Sequence, residues 1–418
     1  MDQTEALIIE TIDRHREEIL EFARDIYSHA ELGYKEFQTS GKFVKKMEQL
    51  GLRTEKGFAI TGVKAYLNED KKENASLALL GELDALRIPE HAFANPETNA
   101  AHCCGHHAQM AGVFGAALAL TVPEIAEKLD GQVVFFATPA EEYGEIEFKN
   151  QLREQGKIRY GGGKCELLRI GAFDDIDLCL THHIRPGNEI LVGSGTGNGF
   201  VSKVIRVLGK ASHAAGAPEK GVNALSAASL GLQALGLNRE TFRDEDCVRV
   251  HPIITKGGNL VNVIPDEVVV ETLVRGKTIE AFTDAAKKTD RSFKAGAIAM
   301  GAKVEISTLP GYLPTLAEEA LPELKHAAEI SASGIPVIEA SGHAGGSTDV
   351  GDVQHLMPVY TFNTGGVKGG LHQIDFEVTD EEEAYIVTAK MFALAAYGLL
   401  KEKAQRSREL VDQYEPVF

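Results

Sequence analysis

The feature that most constrains the fold of this chain is a segment with a reactive start and an apolar remainder. Residues 100–112 read A-A-H-C-C-G-H-H-A-Q-M-A-G, and residues 108–120 carry no charge. A helix without charged residues is expected to lie inside the protein. Its first turn combines thiol and imidazole groups with unsatisfied backbone N–H groups, and the positive end of the helix dipole is expected to lower a thiol's pKa. We therefore expect the chain to fold around the beginning of this helix.

Length and composition indicate a globular protein of two domains. The chain has 418 residues, more than the roughly 250 to 300 at which single hydrophobic cores stop growing. Its formal net charge of -18 argues against nucleic acid and against a membrane surface as partners, because both require a basic face. Five irregularly spaced cysteines fit a reducing compartment. With no basic start followed by an apolar run and no uninterrupted apolar run near the 18 residues of a membrane span, the expected location is the cytoplasm.

The apolar pattern predicts an α/β fold, with a helix-covered mixed sheet as the catalytic domain. Residues from Ile8 to Ile26 recur at helical spacing and predict one covering helix. Four apolar runs are expected to be buried strands: residues 77–80, 133–137, 178–180 and 359–362. Between residues 195 and 307 the order becomes β-α-β-β-α-β. This segment is predicted to be a smaller α+β, ferredoxin-like domain inserted between the two parts of the catalytic domain, residues 1–194 and 308–418.

Side chains that can bind metals follow the ends of these four runs. In chain order they are Glu82, Asp84, Glu141, Glu142, His182, His183 and His372. Ligands of open α/β sheets bind beyond the carboxyl ends of the strands, so we expect these side chains to meet at one edge of the sheet.

Cys104 and His106 flank Gly105 and can reach the same site from the start of the helix. Thiolate and imidazole both bind borderline-soft divalent ions, although a single Cys or His is usually structural and an isolated Glu pair is usually solvated. Adjacent Glu141 and Glu142 point in different directions beyond their strand, so one can bind metal while the other accepts a proton from water. Together the candidate ligands suffice for two metal ions that share one ligand.

The sequence does not support a phosphate-binding loop or a serine nucleophile. The run from Gly156, G-K-I-R-Y-G-G-G-K-C, lacks the G-K-[ST] ending of a phosphate-binding P-loop. The run from Gly193, G-S-G-T-G-N-G, neither opens a helix nor fits the dinucleotide-binding motif G-x-G-x-x-G. Both runs are interpreted as flexible connectors. No G-x-S-x-G motif supports a serine nucleophile.

Eight motifs occur in order along nearly the whole chain. They are S-H-A-E-L-G-Y-K-E-F at 28–37, G-E-L-D-A-L at 81–86, H-C-C-G-H-H at 102–107, P-A-E-E at 139–142, S-H-A-A-G-A-P-E-K-G at 212–221, N-V-I-P-D-E at 262–267, S-T-D-V-G-D-V at 347–353 and L-H at 371–372. With these motifs the chain resembles the metal-dependent amidohydrolases and peptidases that include aminoacylases, hippurate hydrolases, auxin-conjugate hydrolases and aminobenzoyl-glutamate hydrolases.

The resemblance implies a catalytic domain with two divalent metal ions, Zn or Mn, and an inserted lid domain through which the protein forms a homodimer. The implied metal ligands are Cys104 as the bridge, His106, Glu142, His183 and His372. Glu141 is implied as the general base and Asp84 as a residue that orients a ligand.

The resemblance also implies roles for three residues of the lid. His213 would stabilise the developing oxyanion, often across the dimer, while Asn262 and Arg275 would hold the carboxylate of the leaving amino acid. From the residues alone, each has a structural alternative: a surface His in a turn, a turn residue before Pro265, and an Arg in a salt bridge on a strand.

The chain departs from the usual pattern H-A-C-G-H-D-x-H at Cys103, His107 and Gln109. A metal-bound His usually donates its second nitrogen to a carboxylate or carbonyl, so with His107 replacing Asp that support must come from elsewhere. No role is assigned to His102, Cys103 or His107. The predicted function is hydrolysis of an N-acyl or N-aroyl amino acid. The alternatives are a dipeptidase or aminopeptidase acting on short peptides, and a non-catalytic metal-binding relative.

Overall fold

The computed structural model describes residues 1–417, which form two compact units. The first comprises Met1–Gly195, Leu316–Gly342 and the chain from Asp352 onward, and the second comprises Thr196–Thr315 and His343–Gly351. The sequence placed the end of the insertion at residue 307, but the strand Lys303–Pro310 continues past that point. His343–Ala344 belongs to the second unit because it pairs with Thr196–Gly197.

The first unit is built on an eight-stranded mixed sheet. From one edge to the other its strands are Arg53–Phe58, Gly62–Leu67, Gln132–Thr138, Ser76–Glu82, Leu178–Ile184, Val359–Thr364, Ile190–Val192 and Val337–Glu339. The four central strands pair in parallel and contain the four predicted apolar runs. The α/β prediction is confirmed, and the carboxyl ends of the central strands lie at one edge of the sheet.

Helices cover this sheet. Those of seven or more residues are Gln3–Arg14, Arg16–Ser28, Phe37–Gln49, His106–Leu120, Ile146–Glu154, Gly163–Arg169, Pro322–Ser331 and Thr388–Gln413. The single covering helix predicted from Ile8 to Ile26 is wrong, because the backbone leaves helical geometry at His15 and two helices result. The last helix is interrupted by non-helical residues from Lys401 to Ala404.

The helix His106–Leu120 is buried along its whole length, as its lack of charge predicts. Two glycines permit close packing of its neighbours. A Cβ atom at Gly115 would lie 2.5 Å from Ala389 Cβ and 2.9 Å from Ile19 Cδ1, and one at Gly112 would lie 2.5 Å from Thr388 Cγ2. The helix is therefore wedged between an N-terminal helix and the C-terminal helix.

Residues Glu382–Gln413 form one helical stretch that is long and apolar enough to cross a membrane by length and composition. The most apolar part of this stretch is 89% buried inside the protein. Its apolar residues therefore pack as those of a core helix do.

The second unit has an antiparallel sheet with two helices. Its main strands lie in the order Arg249–Val250, Glu267–Gly276, Gly199–Leu208 and Lys303–Pro310, and Ile253–Lys256 also pairs with Glu267–Gly276. The helices are Ala224–Asn238 and Ile279–Ala299. Along the chain these elements follow the predicted β-α-β-β-α-β order, and the sheet order is that of a ferredoxin-like fold. The predicted α+β fold of the insertion is confirmed.

A partly buried carboxyl group in the first unit, that of Glu318, makes stability depend on pH. Glu318 accepts hydrogen bonds from the backbone N–H of Thr361, at 2.8 Å, and from its hydroxyl group, at 3.0 Å, and also from Gln354. Burial raises the pKa of Glu318 from 4.5 to about 7. Between about pH 4.5 and pH 7, Glu318 is therefore protonated in the folded chain but ionised in the unfolded chain. The stabilisation from this group is complete below about pH 4.5 and is lost as the pH rises through 7.

Replacing Glu318 by Gln is expected to stabilise the protein relative to wild type more at about pH 8 than at about pH 5, by up to about 3 kcal/mol. Thermal unfolding of both proteins at the two pH values measures the difference. Glu319→Gln, which alters the exposed neighbouring carboxylate, is the control. The same wild-type-to-variant difference at both pH values would show that Glu318 does not titrate in this range.

Candidate metal centre

The site begins at Gly105, which starts the helix His106–Leu120 in a left-handed conformation with φ of 84°. A Cβ atom at this position would lie 2.0 Å from Ile184 Cγ2, at the end of the strand Leu178–Ile184. Glycine is therefore required both for the backbone conformation and for the close approach. This approach brings Cys104 and His106 beside the end of the strand that carries His183.

The thiol of Cys104 lies between two imidazoles. Its Sγ atom is 3.3 Å from Nε2 of His183 and 3.3 Å from Nε2 of His372. Two donor sets, each with all its donor atoms within 4.8 Å of one another, share this thiol: Cys104 with His106 and His183, and Cys104 with Glu142 and His372. All five residues predicted as ligands are thus brought together in the first unit, with the predicted bridge in the shared position.

Strand alternation separates His183 from its neighbour His182. The sequence placed both residues after the strand, but they lie within Leu178–Ile184, where successive side chains point to opposite faces. Nε2 of His182 lies 2.8 Å from the Thr364 hydroxyl, and its ring packs 5.0 Å from that of Phe362. His182 therefore belongs to the core and His183 to the site.

His372 reaches the site from the far end of the chain. Its backbone N–H donates to the carbonyl oxygen of Cys103 at 2.9 Å, and its φ is 63°. Gly369, three residues earlier, has a φ of 79°. This turn holds a late ligand against the beginning of the helix.

Asp84 contacts two of the predicted ligands. The Nδ1 atom of His106 lies 2.8 Å from the carbonyl oxygen of Asp84 and 3.2 Å from its Oδ1, while Oδ2 accepts from the backbone N–H of Glu142 at 2.9 Å. Because the Asp84 carbonyl oxygen can only accept, Nδ1 of His106 carries the proton, and Nε2 is left available to bind a metal ion. The support that the resemblance assigns to the residue after His106 is provided here by Asp84.

The loop after the strand Gln132–Thr138 directs two carboxylates to different imidazoles. Oε2 of Glu141 lies 3.9 Å from Nε2 of His106, and Oε1 of Glu142 lies 3.0 Å from Nε2 of His372. The loop contains Ala140 at a φ of 49°, and the backbone N–H of Ala140 donates to Oε1 of Glu36 at 2.8 Å. Glu36 thus fixes the conformation that separates the two glutamates.

The electrostatics of the site call for a cation. Burial raises the pKa of the Cys104 thiol, and the Glu142 carboxylate raises it further, so the predicted lowering by the helix dipole is outweighed. Burial also raises the pKa of Glu142, but the His372 imidazole, 3.0 Å from its Oε1 atom, lowers it overall. In the described part of the chain, Nε2 of His106 and Oε1 of Glu142 are buried without a hydrogen-bond partner. Thiolate, imidazole and carboxylate donors with such orphaned atoms fit a divalent metal ion.

Two of the three residues that depart from the family pattern, Cys103 and His107, are buried outside both donor sets. Nε2 of His107 lies 3.1 Å from the Tyr385 hydroxyl, and its ring lies 5.3 Å from that of His102. Burial lowers the pKa of His107 to about 3 and that of His102 well below its ordinary value, so both are neutral. Burial raises the pKa of Cys103 to about 12. These groups lie outside both donor sets.

Two further charged residues adjoin the site: Lys164, which was not predicted from the sequence, and Glu82, which was predicted only as a side chain that can bind metal at a strand end. The run from Gly156 was interpreted as a flexible connector, but it enters the helix Gly163–Arg169, in which Lys164 is fully buried. Lys164 forms an ion pair with Glu82, which lies beside His106. The C-x-L-L pattern after the glycines was the available signal for this helix.

The predicted substrate-binding residues belong to the second unit. Nδ1 of His213 accepts from the backbone N–H of Gly216 at 2.9 Å, and the carbonyl oxygen of Asn262 accepts from Ala214 at 3.0 Å, so His213 and Asn262 lie in adjoining loops. Arg275 lies on the strand Glu267–Gly276 with its guanidinium 5.9 Å from the centre of the Phe200 ring. Their roles in binding substrate stay predictions.

On this helix-covered mixed sheet, two donor sets share one thiol and lie beside a further carboxylate, which is the arrangement expected of a metallohydrolase. The model of peptidase family M20/M25/M40 matches residues 78–397, and the chain belongs to this family. It is accordingly a metal-dependent hydrolase that acts on amide bonds.

Individual relatives have different activities. The Xaa-Arg dipeptidase of Mus musculus is 27% identical over 98% of this chain and 89% of its own length. The N-acetylcysteine deacetylase of Bacillus subtilis is 26% identical over 92% of this chain and 97% of its own length. A putative aminohydrolase from methicillin-resistant Staphylococcus aureus shares the fold, with a TM-score of 0.72 and 21% identity over 95% of this chain and all of its own.

Proposed function

We propose that the protein hydrolyses the amide bond of an N-acyl or N-aroyl amino acid at a centre of two divalent metal ions, either Zn or Mn. The observation that carries this proposal is the position of Cys104, which is common to both donor sets. One ion would be held by Cys104, His106 and His183, and the other by Cys104, Glu142 and His372. When bound, the two ions polarise the amide carbonyl and lower the pKa of water to about 7.

Glu141 is the proposed general base. It is 7% exposed, and its carboxylate is close to His106 but belongs to neither thiol-containing donor set. From this position it accepts a proton from the attacking water and delivers it to the leaving nitrogen, so the amine departs neutral. Asp84 keeps His106 and Glu142 oriented through its carbonyl and carboxylate oxygens.

The second unit contributes the proposed contacts to substrate. His213 would stabilise the oxyanion, and Asn262 with Arg275 would bind the carboxylate of the leaving amino acid. A guanidinium can bind a carboxylate through two parallel hydrogen bonds, which favours substrates with a free acid group.

A dipeptidase is the second candidate, because a relative that matches 98% of this chain is the Xaa-Arg dipeptidase. The same centre would serve both reactions. The difference lies in the substrate's amino end, since a dipeptide presents a free α-amino group and an acylated amino acid does not.

Metal content and substrate use together test the proposal. Elemental analysis of the purified protein is paired with release of free amino acid from N-acyl amino acids, aminobenzoyl amino acids and unblocked dipeptides. Near two equivalents of metal with turnover of blocked substrates supports the amidohydrolase. Turnover of unblocked dipeptides alone identifies the dipeptidase. No metal and no turnover after reconstitution identifies a non-catalytic relative.

We also propose that the protein is a homodimer through its second unit. The strand Ile253–Lys256 is at the edge of the sheet, and the strand and the loop after it expose apolar side chains. The exposed fractions are 61% for Ile253, 42% for Ile254, 65% for Leu260 and 103% for Val261. An exposed apolar edge strand is a surface on which a second chain can pair.

Replacing Ile254 by Lys is expected to shift the protein from dimer to monomer, because a buried unpaired charge at the interface would be costly. Size-exclusion chromatography with light scattering measures the mass. Leu237→Lys, at an exposed position on a helix of the same unit, should leave the dimer intact. A monomeric wild type, or an Ile254→Lys variant that stays dimeric, would contradict the proposed interface.

A further inference from the structure

A third carboxylate faces the proposed ligands. Glu82 ends the strand Ser76–Glu82 and is 3% exposed. Its Oε2 lies 3.1 Å from Nε2 of His106. Donor atoms of Glu82, His106 and Glu141 all lie within 4.8 Å of one another. This group is distinct from the two donor sets that share the thiol.

The short contact between Glu82 and His106 is not a hydrogen bond. Nε2 of His106 has no hydrogen-bond partner among the described residues, although Oε2 of Glu82 is 3.1 Å away. Two ligands at right angles on one metal, each about 2.1 Å from it, lie about 3 Å apart. The two atoms are therefore spaced as neighbouring ligands of one ion, and their poor alignment for hydrogen bonding agrees with that arrangement.

Glu82 is held in this position by two buried residues. Its backbone N–H donates to Oε1 of Gln109 at 2.9 Å, and Nε2 of Gln109 donates to Oε2 of Glu82 at 2.8 Å. Lys164 pairs with the other carboxylate oxygen, Oε1. The carboxylate is thus oriented with Oε2 toward His106.

Gln109 is one of the positions at which the chain departs from the family pattern, where a His is usual. A Gln at this position can accept from the Glu82 backbone and donate to its carboxylate at once, as the structure shows. The departure therefore has a physical consequence beside the site, because it clamps the carboxylate against His106.

We propose that Glu82 is an additional ligand of the metal ion held by Cys104, His106 and His183. The inference rests on the proposed two-metal function and adds a carboxylate oxygen to one of the two ions. Carboxylate ligands suit Mn²⁺, whereas thiolate and imidazole suit Zn²⁺. Glu82 therefore shifts the preference of this ion toward Mn²⁺.

The test compares Mn²⁺ and Zn²⁺ binding to the metal-free full-length protein by competition with a chelator. The double variant E82Q/K164M removes the carboxylate without leaving an unpaired buried charge. We expect the ratio of Mn²⁺ to Zn²⁺ affinity at one of the two sites to fall at least about 10-fold, while the other site is unchanged. A residue that merely orients His106 would lower both affinities equally, and that result would overturn the proposal.

Two controls accompany this comparison. K164M alone keeps the Glu82 carboxylate and should keep the Mn²⁺ preference. E166Q changes a buried carboxylate on the same helix as Lys164. Glu166 accepts a hydrogen bond from Arg169, so its replacement should also have no effect on metal preference. Thermal unfolding of each metal-free variant shows whether it is folded.

A crystal structure of the Mn²⁺-loaded wild-type protein gives a reading that does not depend on variants. Oε2 of Glu82 within about 2.3 Å of the ion would support the proposal, and a separation beyond about 3 Å would overturn it. Wild-type protein that binds no metal would contradict the proposed function itself. Wild-type protein that binds two ions, with an unchanged preference in E82Q/K164M, would contradict only the role of Glu82.

Discussion

Replacing Glu141 by Gln is expected to lower kcat at least about 100-fold while both metal ions remain bound. The amide keeps the size of the side chain but accepts no proton from water at neutral pH. Because Glu141 lies outside the thiol-containing donor sets, its loss as a base leaves those ligands in place. Initial rates on the best substrate of the panel, with elemental analysis of the same sample, measure both quantities.

Glu36→Gln is a useful comparison, because Glu36 positions the same loop from outside the site through its contact with Ala140. The Gln side chain keeps an oxygen that accepts from that backbone N–H, so we expect a much smaller loss of turnover than for Glu141→Gln. Turnover of Glu141→Gln equal to that of wild type would eliminate Glu141 as the general base.

Replacing Cys104 by Ala is expected to reduce metal content from near two equivalents to less than one and to abolish turnover. Both proposed ions lose a ligand at once, because the Cys104 thiol is common to both donor sets. Losing one ligand of a structural or catalytic site weakens metal binding by more than the 10- to 100-fold typical of the residues that support ligands. Elemental analysis after dialysis against metal-free buffer measures the loss.

The chain provides its own control in the preceding residue. Cys103 is also a fully buried thiol but belongs to neither donor set. Cys103→Ala should therefore retain both ions, even if the small cavity lowers the thermal unfolding temperature. Full metal content in Cys104→Ala would eliminate the thiol as the shared ligand.

Several elements of the fold could be predicted because they are buried, and buried elements have sequences rich in apolar residues. The strands Ser76–Glu82 and Gln132–Thr138 and the helix His106–Leu120 are buried along their whole lengths, so their sequences are largely apolar. The edge strand Arg53–Phe58 was not predicted, because it is largely exposed and reads R-T-E-K-G-F. Its position is set by pairing with Gly62–Leu67, which local sequence does not encode.

The candidate site divides in the same way. Cys104 and His106 are close in sequence, and Glu141 and Glu142 follow a recognisable strand, so these candidates were visible. The contacts of Asp84 with both His106 and Glu142 join residues that are 22 and 58 positions apart. Lys164 reaches Glu82 across 82 positions of the chain. Such contacts arise from the way the parallel strands and their helices pack, so a pattern in the local sequence cannot predict them.

The missing side chain at Gly105 limits how this centre can change. With Ile184 Cγ2 occupying the place of a Cβ atom, even Ala would push the helix start away from the strand end that carries His183. Cys104, His106 and His183 would then move apart together. Because no side chain fits at Gly105, substitution at this position cannot change the spacing of the metal ligands in small steps. The metal preference of the centre can therefore change only through substitutions at neighbouring residues. Variation in metal preference among related chains should accordingly concentrate at neighbouring positions such as 82 and 109, while position 105 stays the same.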